Sequence, residues 1–247
     1  MANREETLVL FDVDGTLSIS RQRAKPEMMD LLLKKLKEKA TVGIVSGSDL
    51  SKVAEQLGEN CTKEFDYVFP ENGTVAYHND NLIGEESIAD FLGEDNVTKF
   101  TNFCLKYMSE LSGFVKRGIF IEHRHGLINI CPCGRSVSQQ QRDAFGELDK
   151  VENIRKKFVE ALNKQFPDLG LQYVIGGQIS IDAFPTGWDK RYCLKFIENK
   201  FTTIHFYGDK TAEGGNDYHI FNDSRTIGHT VKNPEDTMAQ LKNTFNL

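Results

Sequence analysis

Leu8-Val9-Leu10-Phe11-Asp12-Val13-Asp14-Gly15-Thr16-Leu17 is the stretch whose reading decides the fold. Four apolar residues in a row, β-formers among them, fit a short strand buried on both faces of a parallel sheet. The run then enters two carboxylates, a glycine and a threonine. Acids at the carboxyl end of a buried strand sit where open α/β sheets bind ligands. With Gly15 allowing a tight turn, Asp12 and Asp14 suggest a Mg²⁺ site that handles phosphate. The alternative is a surface turn or a calcium loop. A calcium loop wants more oxygen ligands at alternate positions and a closing Glu, whereas Thr16-Leu17-Ser18 follows here.

Outward from this strand the chain alternates. Pro26 to Lys39 predicts an amphipathic helix with Met28, Met29, Leu32, Leu33 and Leu36 as its apolar stripe. Thr41 to Val45 is a second buried strand, ending in Ser46-Gly47-Ser48-Asp49, with Ser48 or Asp49 able to cap the next helix. Strand, helix, strand at this spacing is a parallel βαβ unit. Tyr67–Phe69 and Val75–His78 read as a hairpin. From about Leu82 to Phe184 the order changes: a helix from Ile88 to Leu111 broken near Gly93, strands over Val115–Arg124 and Leu127–Cys131, a helix from Gln139 to Phe166 interrupted near Gly146, and strands over Tyr173–Ile175 and Ile179–Phe184. The parallel pattern resumes at Gly187, with a strand Thr203–Tyr207 running into Gly208-Asp209, another near Thr226–Val231, and Asn233-Pro234 opening a last helix. The expected fold is α/β: a Rossmann-like core with a parallel sheet, residues 1–84 and 186–247, and an inserted α+β cap, residues 85–185.

The 247 residues are 39% hydrophobic and 27% charged, an ordinary globular composition with room for one large domain or two smaller ones. A net charge of -6 argues against nucleic acid or an anionic membrane as the main partner. No signal core precedes the first strand and no apolar run is long enough to span a bilayer, so a cytoplasmic protein is expected. The five cysteines are odd in number and scattered; Cys131-Pro132-Cys133 lacks a second pair for zinc, and free thiols are expected.

Asp12, Asp14, Ser46 and Asp209 all lie just past the carboxyl ends of predicted core strands, and Lys190 opens a helix in the same half of the fold. Three carboxylates in one site repel each other unless a cation sits among them, and hard oxygen ligands suit Mg²⁺. Ser46 can donate a hydroxyl to a phosphoryl oxygen, and Lys190 can supply positive charge. In the chain order Asp-x-Asp, Ser, Lys, Gly-Asp, these residues resemble the four motifs of the haloacid-dehalogenase superfamily of phosphotransferases. In that chemistry Asp12 attacks phosphorus to become an aspartyl phosphate, and Asp14 is the general acid and base. The expected Mg²⁺ ligands are Asp12, Asp14 and Asp209. Phe221 (by its carbonyl), Asp223 and Thr226 offer oxygens for a second cation, though the same segment also suits an ordinary loop.

The insert carries Arg117, Arg124, Arg135 and Arg142, and a guanidinium fork matches a phosphate dianion. Ser180 and Asp182, two apart on a predicted strand, share one face and suit the hydroxyls of a sugar. Gly134-Arg135-Ser136, Glu147-Leu148-Asp149-Lys150, Gly176-Gly177-Gln178-Ile179-Ser180-Ile181-Asp182, Gly187-Trp188-Asp189-Lys190-Arg191-Tyr192-Cys193 and Gly208-Asp209-Lys210-Thr211 with Gly214-Gly215-Asn216-Asp217 resemble the eukaryotic phosphomannomutases. The likeness runs from Leu8 to about Thr237. It implies substrate binding by Arg21, Arg124, Arg135 and Arg142, Ser180 and Asp182 on the sugar hydroxyls, and the Phe221/Asp223/Thr226 cation loop. It also implies a homodimer through the cap. The family's animal members carry Gly-Gly-Ser where this chain has Ser46-Gly47-Ser48, which leaves the choice between Ser46 and Ser48 as phosphate donor open.

Two functions follow as expectations. The first, favoured by the resemblance, is a mutase interconverting mannose 6-phosphate and mannose 1-phosphate, primed by a hexose 1,6-bisphosphate and supplying mannose 1-phosphate for GDP-mannose synthesis. The second is a sugar-phosphate phosphatase in which water resolves the same aspartyl phosphate.

Overall fold

The structure, a computed structural model, describes residues 4–247. Its eleven strands are β1 (Thr7–Phe11), β2 (Thr41–Val45), β3 (Tyr67–Phe69), β4 (Val75–His78), β5 (Asn81–Glu85), β6 (Ile121–His123), β7 (Ile128–Ile130), β8 (Leu171–Gly176), β9 (Ser180–Pro185), β10 (Thr203–Gly208) and β11 (Ile227–Thr230). Two compact units result: the chain up to Glu85 with Gly187–Leu247, and Glu86–Thr186.

In the first unit β1 is buried along its whole length, and its side chains alternate between two cores. Val9 and Phe11 join Met28, Leu32, Val42, Ile44, Leu57 and Leu241 on one face. Leu8 and Leu10 join Val45, Phe69, Leu194, Phe206 and Ile220 on the other. Burying a side chain of this size contributes roughly 1.5–3 kcal/mol relative to leaving it exposed. The sheet order is β11-β10-β1-β2-β3-β4-β5. Strands β11 to β3 in that order are parallel, while β4 pairs antiparallel with both β3 and β5. Gly43 of β2 sits where a Cβ would come within 2.9 Å of Leu10 and 3.1 Å of Tyr67, so the strand packs closely between its neighbours.

The second unit is a four-stranded antiparallel sheet of order β6-β7-β9-β8. Helices cover Ile88–Leu92, Glu94–Glu110, Gln139–Glu152 and Ile154–Gln165. On one face Ile128, Ala183 and Tyr173 are in register, with Tyr173 stacked on Phe100. The other face carries Glu122, Asn129, Asp182 and Val174 in one row across all four strands.

Several elements differ from the sequence expectation. Residues 26–38 are helical but change winding, from α over Pro26–Asp30 to π over Leu31–Lys35 and 3-10 over Leu36–Glu38. Strand β5 was not expected. It follows a two-residue turn in which Asn79 and Asp80 both take positive φ, 45° and 67°, the geometry that matches the twist of a hairpin. The strand expected over Val115–Arg124 shrinks to β6, because Gly118 turns back at φ 61° and this segment instead bonds irregularly with the loop beyond β7. The long helix expected to break near Gly146 breaks at Asn153. That residue is left-handed, and the Asp149 carboxylate accepts from the backbone N–H of Arg155 to start the second helix. Between Ser48 and Asp49, it is Asp49 that caps the helix Leu50–Leu57. All five cysteines are free and buried. Among the described residues no helix is long and apolar enough to cross a membrane.

Strands β10 and β11 also bring His205 and His229 together, Nδ1 to Nε2 at 2.9 Å, with His229 stacked on Tyr207 at 4.2 Å. Burial, then the neighbouring His205, pushes His229 down to about 4, and burial lowers His205. Folded-state values below the unfolded one mean that unfolding takes up protons as pH falls from about 6.5 toward 4; stability present above that window is lost within it. Urea melts across this range should show wild-type stability falling with pH. In His229→Gln, which keeps a hydrogen-bonding side chain but does not titrate, proton uptake on unfolding should drop by about one, or about 1.4 kcal/mol per pH unit of slope.

Candidate active site

Asp12 follows β1 directly and is only 4% exposed. Its backbone N–H still donates to Tyr207 of β10, so the parallel ladder carries the acid to the carboxyl end of the strands. Lys190, 1% exposed, donates its ammonium to Asp12 and, at 2.5 Å, to Asp217, which is fully buried. The second oxygen of Asp217 accepts from the Lys210 N–H at 3.0 Å. Gly208 makes room for it: a Cβ there would lie 2.6 Å from that oxygen. Asp209 follows β10 directly and lies against the turn after Asp12, where a Cβ on Gly15 would meet its Oδ2 at 2.5 Å. Carboxylate oxygens of Asp12, Asp209 and Asp217 all fall within 4.8 Å of one another. Asp209 Oδ1 is buried without a protein partner.

Three acids thus surround one ammonium. Burial pushes Asp12 up to about 7; Lys190 opposes that, while Asp217 and Asp209 add to it. Asp209 is raised by burial as well. Burial acts to lower Lys190, but Asp12 and Asp217 more than offset it and hold it protonated. Surplus negative charge with an orphaned oxygen and an all-oxygen donor set fits a hard divalent cation such as Mg²⁺.

Around this cluster, the Asp14 carboxylate accepts from the backbone N–H of Arg21 at 2.9 Å, Arg21 being left-handed at φ 62°. Ser46 follows β2 directly, is 3% exposed, and its Oγ accepts from the Ser48 N–H at 3.1 Å. Asn72 donates to the carbonyl of Trp188, two residues before Lys190, and the Trp188 ring lies 5.3 Å from that of Tyr192.

In the second unit, Arg124 donates through Nε and Nη2 to Glu122 Oε2, at 2.9 and 2.5 Å. Arg135 Nε lies 3.5 Å from the same oxygen, and its Nη1 donates to Asn129 Oδ1 at 2.6 Å. Asn129 Nδ2 donates to Asp182 at 2.6 Å, and Arg142 donates to the Arg135 carbonyl at 2.6 Å. The Ser180 hydroxyl donates to the Gly176 carbonyl at 3.1 Å.

The sequence profile described as "Eukaryotic phosphomannomutase" matches residues 28–247. A protein named phosphomannomutase from Oryza sativa subsp. indica is 53% identical over 238 residues, covering 96% of this chain and 95% of the relative. One of the same name from Galdieria sulphuraria is 51% identical over 247 residues, covering 100% of this chain and 98% of the relative. The chain belongs to the eukaryotic phosphomannomutase family. Among solved structures, IMP-bound Plasmodium falciparum IMP-nucleotidase aligns with a TM-score of 0.61 at 17% identity, covering 100% of this chain and 69% of that one. Aspergillus fumigatus trehalose-6-phosphate phosphatase aligns at 0.58 with 16% identity, covering 98% and 94%. The chain shares its fold with these two proteins.

Against that family background, the residues selected from the sequence divide as follows. Asp12, Lys190 and Asp209 gather in one cluster, with Ser46 just past the end of the strand beside β1. The Asp14 carboxylate is not in the acid trio; Asp217 is, and the sequence reading passed over it. Its signal was available in Gly214-Gly215-Asn216-Asp217, a glycine turn delivering an acid shortly after Asp209. Arg124, Arg135, Arg142 and Asp182 form one network within the second unit, through Glu122 and Asn129, which were not selected either. Arg155 was missed as well: almost fully buried, it pairs with Asp149 at 2.8 Å and donates to the carbonyls of Gly176, Gly177 and Ser180. In the Phe221/Asp223/Thr226 loop, Arg225 donates to both oxygens of Asp223 and lowers its pKa, while the Thr226 hydroxyl donates to the Ile220 carbonyl at 2.5 Å.

A cation bound among the three acids should stabilise the fold. Mg²⁺ at a hundredfold over its Kd should add about 2.7 kcal/mol to wild-type stability after EDTA treatment, read as a rise in melting temperature. Asp209→Asn should lose most of that increment while still folding; an equal rise in both proteins would place the cation elsewhere.

Proposed function

We propose that the protein is a phosphomannomutase, an isomerase interconverting mannose 6-phosphate and mannose 1-phosphate through a phosphorylated Asp12 and a hexose 1,6-bisphosphate. The observation that carries this is Asp12 itself: a buried carboxylate at a strand end, fixed by a buried ammonium within an acid trio, in a chain about half identical to named phosphomannomutases over nearly its whole length.

The primer bisphosphate donates one phosphoryl group to an Asp12 oxygen, and the bond from phosphorus to the sugar oxygen breaks. Asp14, two residues on, protonates the departing sugar oxygen and later takes the proton from an incoming hydroxyl. Lys190 aims Asp12 and offsets charge on the transferring group, and the Ser46 hydroxyl binds a phosphoryl oxygen. Mg²⁺ bound to Asp12 and Asp209 supplies further neutralisation of that charge. The sugar monophosphate then receives the phosphoryl group at its free end, the bisphosphate reverses its orientation, and Asp12 takes back the other group. Arg21, Arg124, Arg135 and Arg142 hold the non-reacting phosphate, while Ser180 and Asp182 hold sugar hydroxyls. The first unit acts as the catalytic core and the second as the substrate-binding cap. The product serves GDP-mannose synthesis in the cytoplasm, and the protein works as a homodimer.

Phosphorus NMR tests this directly. With Mg²⁺ and a catalytic amount of glucose 1,6-bisphosphate, mannose 1-phosphate should convert to mannose 6-phosphate with no net inorganic phosphate. Phosphate release without isomerisation would make the protein a phosphatase instead. Asp12→Asn should abolish turnover, by a factor of roughly 10³ or more, without changing the circular-dichroism spectrum.

A further inference from the structure

Asn129 sits on β7, one strand in from the edge of the second sheet, and is 2% exposed. Its neighbours across the strands are Glu122 and Asp182, on the face opposite Ile128 and Ile130. Burying an amide in a strand is costly unless both of its ends are bonded. Here both are, and both partners are ionic: Oδ1 accepts from Arg135 Nη1 and Nδ2 donates to Asp182 Oδ1, each at 2.6 Å. A guanidinium only donates and a carboxylate only accepts, so the partners fix which way the amide points.

The strand does not need this side chain for its own pairing. Backbone ladders to β6 and β9 run through Asn129, and the apolar packing of β7 comes from Ile128 and Ile130. What the amide does is hold two opposite charges apart. In direct contact, Arg135 and Asp182 would form a bidentate pair, with the donors of one spent on the oxygens of the other. The interposed neutral amide engages one nitrogen and one oxygen and neutralises neither. On its other side Arg135 is gripped by Glu122, which also holds Arg124, so the guanidinium is located by two separate atoms.

We propose that Asn129 is a positioning residue, setting the spacing between an anion-binding arginine and a hydroxyl-binding carboxylate so that one sugar phosphate can engage both. This rests on the proposed function's assignment of Arg135 and Asp182 to the substrate.

Asn129→Asp keeps the side chain's shape and its bond to Arg135 but turns the donor facing Asp182 into an acceptor. KM for mannose 1-phosphate should rise roughly tenfold to a hundredfold, with a much smaller change in kcat. Lowering the pH from 7.5 to 5.5 should bring that KM back toward the wild-type value, since one proton shared by two facing carboxylates restores a donor; wild type should show no such recovery. Asn129→Ser, too short to reach both partners, should raise KM without acid recovery. Thermal melts by circular dichroism follow the fold of each variant. Unchanged KM in both variants overturns the positioning role, and so does a fall in kcat that tracks melting temperature with KM unmoved. If wild type neither turns over nor binds a hexose phosphate, the failure is that of the proposed function and is visible before any variant is made.

Discussion

The rest of the structure depends on the accommodation of three carboxylates around one ammonium at the ends of parallel strands. From Leu8 to Phe11 strand β1 is apolar because it is enclosed on both faces, and the next position in the chain is Asp12. Strand β10, its neighbour in register, delivers Asp209 in the same way. Lys190 enters from the other end of the sequence and bonds two of the acids, so chain segments nearly 180 residues apart are tied at one point. Like charges about 4 Å apart at a protein surface repel by about 4 kcal/mol, which one lysine among three acids relieves only in part. Burial first, and then that surplus, raise Asp12 and Asp209, and the surplus suits the place to a divalent cation.

Much of the core was legible from the sequence because its signals are local. Apolar runs that end in acid give buried strands and the site together, and Asp49, Asn233 and Pro234 mark helix starts by simple capping chemistry. What escaped was set by relations between distant segments. Asp217 matters because Gly208, on another element, lacks a side chain to exclude it. Gly146 looked like a helix breaker and was tolerated, whereas Asn153 broke the helix because Asp149 could cap what followed. Asn129 and Glu122 read as routine strand residues; only the register of three strands puts them beside Asp182, where their side chains also meet Arg124 and Arg135.

The two units solve the burial of charge differently. In the first, ions are almost fully enclosed and only hydrogen-bonded contact makes that tolerable, so geometry is rigid and each member is costly to remove. In the second, the charged side chains are only partly buried and are held by a buried neutral amide and one shared glutamate.

Trp188 gives the first unit a property of a different sort. It is the only tryptophan of the chain, is nearly buried, and stands two residues from Lys190 with its carbonyl tied to Asn72 and its ring against Tyr192. The whole indole emission of the protein therefore originates beside the acid cluster. The molecule carries one indole, two residues from the lysine that pairs with Asp12, and red-edge excitation reads it apart from the tyrosines.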